Sequence, residues 1–182
     1  CSNSKTIIIE VINPATVFAG VDSAFCVSVT AVNLGFDATP VNAGTWTSTA
    51  NGLQGNIFNP NVAGPGNWVF TYSVGLGNCK VTDTKVIDVW SLPTVNAGSD
   101  VSICVSEVAT TLMPTPVNGA WTPPSGALNA NIFDPGTSGA GTFNFAYTFI
   151  DDNGCVNSDN LIITVHPLPV ISVPDTTFCN TP

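Results

Sequence analysis

Apolar side chains occupy every second position in two long segments of the chain. In residues 68–74 they are Trp, Phe, Tyr and Val, and in residues 143–149 they are Phe, Phe, Tyr and Phe. Because successive side chains of a β-strand point to opposite faces, this pattern predicts strands that turn one aromatic face to a core. Residues 81–89 and 158–165 follow glycine-containing turns and are predicted to be strands as well.

The same pattern occurs twice, with a period of about 76 residues. GNIFNP at 55–60 and ANIFDP at 130–135 lie at matching distances from an upstream tryptophan and a downstream tyrosine, so they are two copies of one element. Equivalent landmarks of the two copies are Cys26 and Cys104, Trp46 and Trp121, Phe58 and Phe133, Tyr72 and Tyr147, and Cys79 and Cys155. We predict that all of these aromatic landmarks are core residues.

The repeat register also predicts the domain boundaries. Residues 14–91 and 92–167 are predicted to be complete Ig-like repeats, each a small β-sandwich of about seven short strands. Residues 1–13 match the C-terminal strand of a preceding repeat, and residues 168–182 match the first strand of a following one. No segment has helical periodicity with caps. The predicted fold class is all-β: tandem Ig-like β-sandwich domains arranged head to tail as a rod, because the linkers are short and proline-stiffened.

Composition and charge narrow the range of partners. The sequence has 3 lysines and no arginine against 12 acidic residues, a net charge of -9. Nucleic acids and anionic membranes both need a basic surface, so neither is expected to bind. No apolar run approaches the roughly 18 residues of a membrane span, so direct membrane insertion is not expected either. Only 8% of residues are charged and 44% are hydrophobic, which favours an extracellular all-β protein over a cytosolic enzyme.

The two repeats share one order of motifs. A cysteine is followed by Gly-x-Trp (44–46 and 119–121), Phe-x-Pro, Ala-Gly-x-Gly, a tyrosine, and Gly-x-Cys or Gly-Cys; the second Ala-Gly-x-Gly is incomplete. This order resembles the Ig-like and PKD-like tandem repeats of giant cell-surface proteins of Bacteroidota, including SprB-type gliding adhesins. The resemblance covers essentially all 182 residues.

The resemblance implies a secreted protein, exported by type IX secretion and held at the cell surface, with a part in adhesion or gliding motility. It implies a structural repeat region that acts as a stalk or filament spacer. The alternative is a carbohydrate- or protein-binding adhesin module. The expected partners are neighbouring repeats of the same chain, together with surface glycans or other cell-surface proteins. Repetition favours the spacer, because a stalk needs interchangeable domains.

Residues for enzyme chemistry are scarce. His166 is the only histidine, and it falls in a predicted linker at the position that Trp90 holds in the first repeat. A catalytic histidine would not be exchangeable for tryptophan between copies. The sequence contains no HExxH, P-loop or GxSxG motif. We therefore predict no catalytic residue, no cofactor-binding residue and no enzyme activity.

Two kinds of polar site are candidates. Calcium takes several carboxylate oxygens, and Asp151, Asp152 and Asp159 lie in or near one turn. The equivalent turn of the first repeat, at 75–78, has no carboxylate, so a solvated turn is the competing interpretation. The family resemblance also implies O-glycosylation at Asp-Ser/Thr sites, which are met at Ser23 and Thr176.

Three pairings of the six cysteines are open in an oxidising compartment. Bonds within each repeat would join Cys26 to Cys79 and Cys104 to Cys155. Bonds along the chain would join Cys1 to Cys26, Cys79 to Cys104 and Cys155 to Cys179. A bond across repeats would join Cys26 to Cys155.

The height of each cysteine on its sandwich favours the bond across repeats. In an Ig-like strand order the two cysteines of one repeat fall at opposite poles, which strands of about eight residues separate by about 25 Å. A disulfide needs Cα atoms within about 7 Å. Head-to-tail stacking would instead bring the poles of successive repeats together. A shift of the cysteines towards the middle of the strands would restore the bond within a repeat.

Overall fold

The computed structural model describes residues 1, 3–7, 16–41, 43–122 and 127–175. The chain divides into a first unit, Cys1–Leu92 with Asp152–Cys155, and a second unit, Pro93–Asp151 with Val156–Pro182. Residues 3–7 and 168–175 contain no strand, although strands were expected in 1–13 and 168–182. The remaining residues of those two segments, apart from Cys1, lie outside the described part of the chain.

The described part of the first unit has seven strands, one short α-helix and one 3₁₀ turn. The strands are β1 (Ser23–Cys26), β2 (Val32–Asn33), β3 (Thr45–Ser48), β4 (Leu53–Gln54), β5 (Ile57–Phe58), β6 (Gly66–Val74) and β7 (Val81–Trp90), with helix α1 (Pro60–Ala63) and a 3₁₀ turn (Gly77–Cys79). One sheet has the order β1-β7-β6-β3 and the other β2-β5-β4. β1 pairs with β7 in parallel, and the β6–β7 and β3–β6 pairs are antiparallel.

The second unit repeats this arrangement strand for strand. Its elements are β8 (Val101–Cys104), β9 (Thr110–Thr111), β10 (Ala120–Thr122), β11 (Leu128–Asn129), β12 (Ile132–Phe133), α2 (Pro135–Ser138), β13 (Gly141–Ile150) and β14 (Val156–His166). The sheets have the orders β10-β13-β14-β8 and β11-β12-β9. β8 pairs with β14 in parallel, as β1 does with β7.

Aromatic side chains join the two sheets of each unit. Phe58 on β5 meets Phe70 on β6 with ring centroids 4.6 Å apart, and Phe133 on β12 meets Phe145 on β13 at 5.9 Å. Each pair bridges the small and the large sheet, which makes each unit a β-sandwich. The prediction of an all-β fold built from tandem Ig-like sandwiches is confirmed.

The predicted core aromatic residues lie on the inner faces, with one exception. Phe58 and Phe133 are completely buried, Tyr72 and Tyr147 are 1% exposed, and Trp46 is 9% exposed. Trp121 is only half-buried and packs against the edge of its cluster. Its indole Nε1 donates to Asn131 Oδ1 at 2.9 Å, which keeps one edge of the ring at the polar rim of the core.

The repeated Asn/Asp-Pro phrase forms a short helix in both units. Asn59 Oδ1 accepts hydrogen bonds from the N–H groups of Asn61 (3.0 Å) and Val62 (3.4 Å), and Pro60 begins α1. Asp134 caps α2 in the same way, before Pro135. The expectation of no helix is therefore wrong at these single turns. Asn or Asp as N-cap before Pro is a strong helix-start signal, but four residues are too few to show periodicity.

A tyrosine hydroxyl fastens the start of β3 and of β10. Tyr72 Oη accepts from the Gly44 N–H at 2.8 Å and donates to the Pro40 carbonyl. A Cβ on Gly44 would lie 2.7 Å from the Tyr72 ring, so the glycine of Gly-x-Trp is needed for this close approach. Tyr147 makes the equivalent bond to the Gly119 N–H at 2.6 Å. The shared motif thus has a structural explanation.

Candidate functional site

A disulfide joins Cys26, the last residue of β1, to Cys155 in the turn before β14. The two Cα atoms are 5.6 Å apart, within the usual range. The bond lies in the first unit, to which the segment Asp152–Cys155 contributes. This bond across repeats is the pairing favoured by the sequence, in which the two cysteines of one repeat fall at opposite ends of its sandwich.

The within-repeat pairings are not formed. Cys26 lies opposite Trp90 at one end of β7, whereas Cys79 lies just before Val81 at the other end. The 10 residues of β7 span roughly 30 Å, too far for one disulfide. The same holds in the second unit for Cys104, which lies opposite His166, and Cys155, which precedes the 11 residues of β14.

The sequential pairings are not formed either. Cys1–Cys26 and Cys155–Cys179 would each need a sulfur that the Cys26–Cys155 bond already uses. Cys79 and Cys104 carry free, exposed thiols, as does Cys1. Cys179 lies outside the described residues.

The carboxylates suggested for calcium do not form one cluster. Asp159 lies in β14, where its Oδ2 accepts from the Ala97 N–H at 2.9 Å. Asp83 makes the same bond to the Ala19 N–H at 2.8 Å in the first unit, so this carboxylate has a structural role in both repeats. Asp151 and Asp152 lie at the turn between β13 and β14. Within the described ranges, no three His, Cys, Asp or Glu side chains are close enough to share a metal ion.

The hydroxyl of Ser23 is buried and has no hydrogen-bond partner among the described residues. Ser23 begins β1 and lies opposite Ile87 of β7. This position counts against an O-glycan at Ser23, because a transferase could not reach the oxygen in the folded unit. The other glycosylation candidate, Thr176, lies outside the described residues.

His166 is the last residue of β14, whereas a linker position was expected. Because β14 stays paired with β8 as far as Cys104, the strand extends over the predicted linker start. His166 Nε2 lies 2.9 Å from Ser102 Oγ. The Asp100 carboxylate, two residues before Ser102 in the sequence, accepts from the Ile162 N–H at 2.9 Å. An activated serine needs a base that a third group orients, and no such third contact to His166 occurs among the described residues.

An open cleft of about 370 Å³ lies beside Trp46 in the first unit. Its lining residues are Gly44, Thr45, Trp46, Gly55, Asn56 and Tyr72. Asn56 Nδ2 donates to Asn33 Oδ1 at 3.0 Å, and the Trp46 indole N–H has no hydrogen-bond partner within the described part of the chain.

The second unit differs at this point because Thr111 replaces Asn33. Asn131, the equivalent of Asn56, instead accepts from the Trp121 indole at 2.9 Å. Sequence reasoning treated the two tryptophans as interchangeable core residues and missed the cleft. The Asn33–Thr111 difference in the repeat alignment was the available signal.

No protein-family model matches the chain. No curated protein sequence matches it either. Among the described residues, no helix is long and apolar enough to cross a membrane.

Solved structures similar to the chain are multidomain proteins. The insect immune protein hemolin, whose structure has been related to homophilic adhesion, is 14% identical over 85% of this chain, with a TM-score of 0.36. Sidekick-1 immunoglobulin domains 1–4 are 14% identical over 83% (TM-score 0.34). Human protocadherin-24 EC1-2 is 11% identical over 83% of this chain and 95% of its own length (TM-score 0.35). The chain spans 46% of the hemolin chain and 48% of the Sidekick-1 chain. At TM-scores this low, the Ig-like assignment rests on the strand order and the sandwich packing described above.

Proposed function

We propose that the chain is a non-enzymatic repeat region of a long extracellular surface protein, where it acts as a stalk or filament spacer. Residues 14–91 and 92–167 are the repeating modules, and 1–13 and 168–182 belong to adjacent ones. The main support is the equivalence of the two units, which share the strand order, the tyrosine bond and the capped helical turn. Interchangeable modules are what a spacer requires.

The proposed class of parent protein is the SprB-type adhesins of Bacteroidota, which are exported by type IX secretion and are active in adhesion or gliding. This assignment rests on the order of motifs in each repeat. An extracellular, cell-surface location is supported by the Cys26–Cys155 disulfide, because such bonds persist in oxidising compartments. The neighbouring repeats of the chain are the proposed partners.

Small-angle scattering on arrays of two, four and six repeats tests the spacer function. A strand of about ten residues is about 33 Å long, so each added repeat should lengthen the particle by roughly 35 Å. A constant increment per repeat supports a stalk. A maximum dimension that levels off as repeats are added contradicts it, because the modules would then be folding back on one another.

The second candidate is a carbohydrate-binding module, and the cleft beside Trp46 favours it. The free indole N–H and the Asn56 amide provide a donor and an acceptor for a sugar hydroxyl. Among the described residues of the second unit this arrangement is absent, because the Trp121 indole donates to Asn131. The proposed ligand class is therefore a neutral glycan.

A glycan array with matched variants separates the two functions. Trp46→Phe removes the indole N–H and keeps an aromatic ring, and Trp121→Phe is the control in the second unit. Glycan binding that Trp46→Phe abolishes and Trp121→Phe preserves supports the binding module. An array without binding by the unmodified chain rules this candidate out and leaves the spacer.

A further inference from the structure

We propose that Cys104 and Cys79 are the two halves of a covalent coupling site for another repeat of this kind. The thiol of Cys104, at the end of β8, would bond to the turn cysteine of another repeat, which Cys79 supplies in a second copy of this chain. The observation that carries this inference is that the equivalent residues, Cys26 and Cys155, are already bonded. It goes beyond the spacer function and does not depend on it.

The backbone presents Cys104 as it presents Cys26. Cys26 lies opposite the last residue of β7, and its carbonyl accepts from the Val29 N–H at 3.0 Å. Cys104 lies opposite the last residue of β14, and its carbonyl accepts from the Glu107 N–H at 3.0 Å. The residue after each cysteine continues the ladder, with N–H to carbonyl distances of 2.8 Å for Val27 and 2.9 Å for Val105. The thiol at the end of β8 therefore has the same setting as the one that is bonded.

The turn cysteines correspond in the same way. Cys155 directly precedes β14 in a turn closed by the Ile150–Val156 pair. Cys79 lies in the turn closed by the Val74–Val81 pair. Both turns join the two longest strands of their sheet. Cys79 therefore lies in the hairpin turn equivalent to that of Cys155, two residues before its strand instead of one, and its thiol is free.

The surroundings of both free thiols are open to a partner. Cys104 and Cys79 are exposed. Val108, in the loop after β8, is 83% exposed, and Leu76, in the turn that holds Cys79, is 89% exposed. Each thiol thus lies in a segment that also offers an exposed apolar side chain for a partner to cover.

The observed bond joins two different surfaces, a strand end and a hairpin turn. Such a heterologous contact generates an open row when it is repeated, whereas a symmetric contact closes a dimer. We therefore infer a Cys104–Cys79 bond and no Cys104–Cys104 or Cys79–Cys79 bond.

The chemistry is thiol–disulfide exchange with a small disulfide as oxidant. The Cys104 thiolate attacks oxidised glutathione, forms a mixed disulfide and releases one reduced glutathione. The Cys79 thiolate of the second copy then attacks the Cys104 sulfur and releases the second glutathione. Two protein thiols are oxidised, one glutathione disulfide is reduced to two thiols, and the two protons pass to the released thiolates.

The test uses the full chain with Cys1→Ser and Cys179→Ser, so that the only cysteines outside the Cys26–Cys155 bond are Cys79 and Cys104. The protein is concentrated in a glutathione redox buffer, and its disulfide-linked products are separated without reductant and mapped by mass spectrometry. We expect a ladder of linked oligomers in which the Cys79–Cys104 peptide dominates. In urea this selectivity should disappear, because unfolded thiols pair by collision.

Two further variants make the assignment directional. Adding Cys79→Ser or Cys104→Ser to this background should each abolish the ladder, and mixing the two proteins should restore linked species that stop at the dimer. Symmetric Cys79–Cys79 or Cys104–Cys104 peptides, or monomers that carry glutathione on both thiols, would overturn the proposal. Neither result would change the scattering increment per repeat, so this site and the spacer function can fail separately.

Discussion

The two units share their strand order but differ at one buried position of the last strand. In the first unit, Lys85 of β7 is 4% exposed, and its Nζ lies 3.4 Å from Asp37 Oδ2. In the second unit the equivalent residue of β14 is Leu161, which is 1% exposed and belongs to the apolar core. One scaffold therefore accepts either a charged or an apolar residue at this place.

The loop that carries Asp37 explains how both residues are accommodated. Leu34 and Leu112 are anchored alike, by N–H bonds to Asn56 (2.8 Å) and Asn131 (2.6 Å). From Leu34 to Thr39 the connection has four intervening residues, and from Leu112 to Thr115 it has two. The longer connection supplies the carboxylate. The buried lysine and the loop carboxylate thus occur together in the first unit, and both are missing from the described part of the second unit.

The largest loss of stability is expected when a buried lysine is placed in the second unit without a carboxylate partner. Leu161→Lys places an ammonium group in the second core, where the shorter loop has no Asp37 equivalent. An uncompensated buried charge of this kind should lower the free energy of unfolding by about 3–5 kcal/mol. Urea denaturation measures the loss, and hydrogen exchange should locate it in the second unit, residues 93–151 and 156–166. Leu161→Met is the matched control, with an expected cost below about 1.5 kcal/mol. A loss below about 1 kcal/mol for Leu161→Lys would contradict the pairing argument.

A smaller loss is expected when the partner is removed and the charge stays. Asp37→Ala leaves Lys85 buried without its carboxylate, at a cost of about 2 kcal/mol, because hydrogen bonds to charged groups contribute about 1.5–3 kcal/mol. The side chain of Asp37 is 56% exposed, so water lowers this figure. Adding Lys85→Leu should recover most of the loss, since the first unit then resembles the second. The two single variants and the double variant form a cycle in urea denaturation. An unchanged midpoint for Asp37→Ala would mean that the pair contributes nothing.

A gain in stability is expected at a position where the first unit has a buried polar group and the second unit has an apolar side chain. Ser23 carries a buried hydroxyl that no other described residue bonds, and the equivalent residue of β8 is Val101. Ser23→Val should raise the free energy of unfolding by about 1 kcal/mol, because an unsatisfied polar group is removed and apolar contact is added. Val101→Ser is the reciprocal variant and should destabilise. If thermal melting shows Ser23→Val to be destabilising, the hydroxyl makes a stabilising hydrogen bond in the folded protein.

The smallest effect concerns the helix caps, Asn59 in the first unit and Asp134 in the second. The Thr137 hydroxyl, which donates to the Asp134 carboxylate at 2.7 Å, lowers the pKa of Asp134 below 3.8. A carboxyl with a lowered pKa stabilises the fold above its unfolded pKa, and this contribution is lost as the pH falls through the folded value. Asp134→Asn should therefore reduce the loss of second-unit stability below about pH 3.8, as followed by denaturation midpoints from about pH 5 to about pH 2. Parallel acid curves for the two proteins would contradict this assignment.

Much of the large sheet could be predicted from the sequence. The aromatic alternation in β6 and β13 is long enough to indicate both strands and their buried face, because one side of the sheet packs on a core. The strands of the small sheet have only two residues each, too few for any period. The helical turns were not predicted because they are also too short to show a period, although Asn59-Pro60 was a signal for the start of a helix.

The candidate sites were less predictable because they depend on contacts between distant residues. Asp159 looked like a calcium ligand beside Asp151 and Asp152, but the fold uses it to hold the Ala97 N–H. Lys85 lies opposite Phe70 of β6 and contacts Asp37 in a distant loop, and Ser23 lies opposite Ile87 of β7. Neither environment can be predicted from neighbouring residues in the sequence. The positions of the cysteines could be predicted, because the distance between the two ends of a sandwich depends only on the length of its strands.

The measurement that bears most directly on the repeat architecture is non-reducing peptide mapping of the native monomer. Its free thiols are alkylated before any glutathione disulfide is added. We predict one linked peptide that contains Cys26 and Cys155, with alkylated Cys79 and Cys104. This result would show that Cys26, at the end of β1, meets the turn that holds Cys155. A Cys26–Cys79 or Cys104–Cys155 peptide would place both cysteines of a repeat at one height and would contradict the architecture.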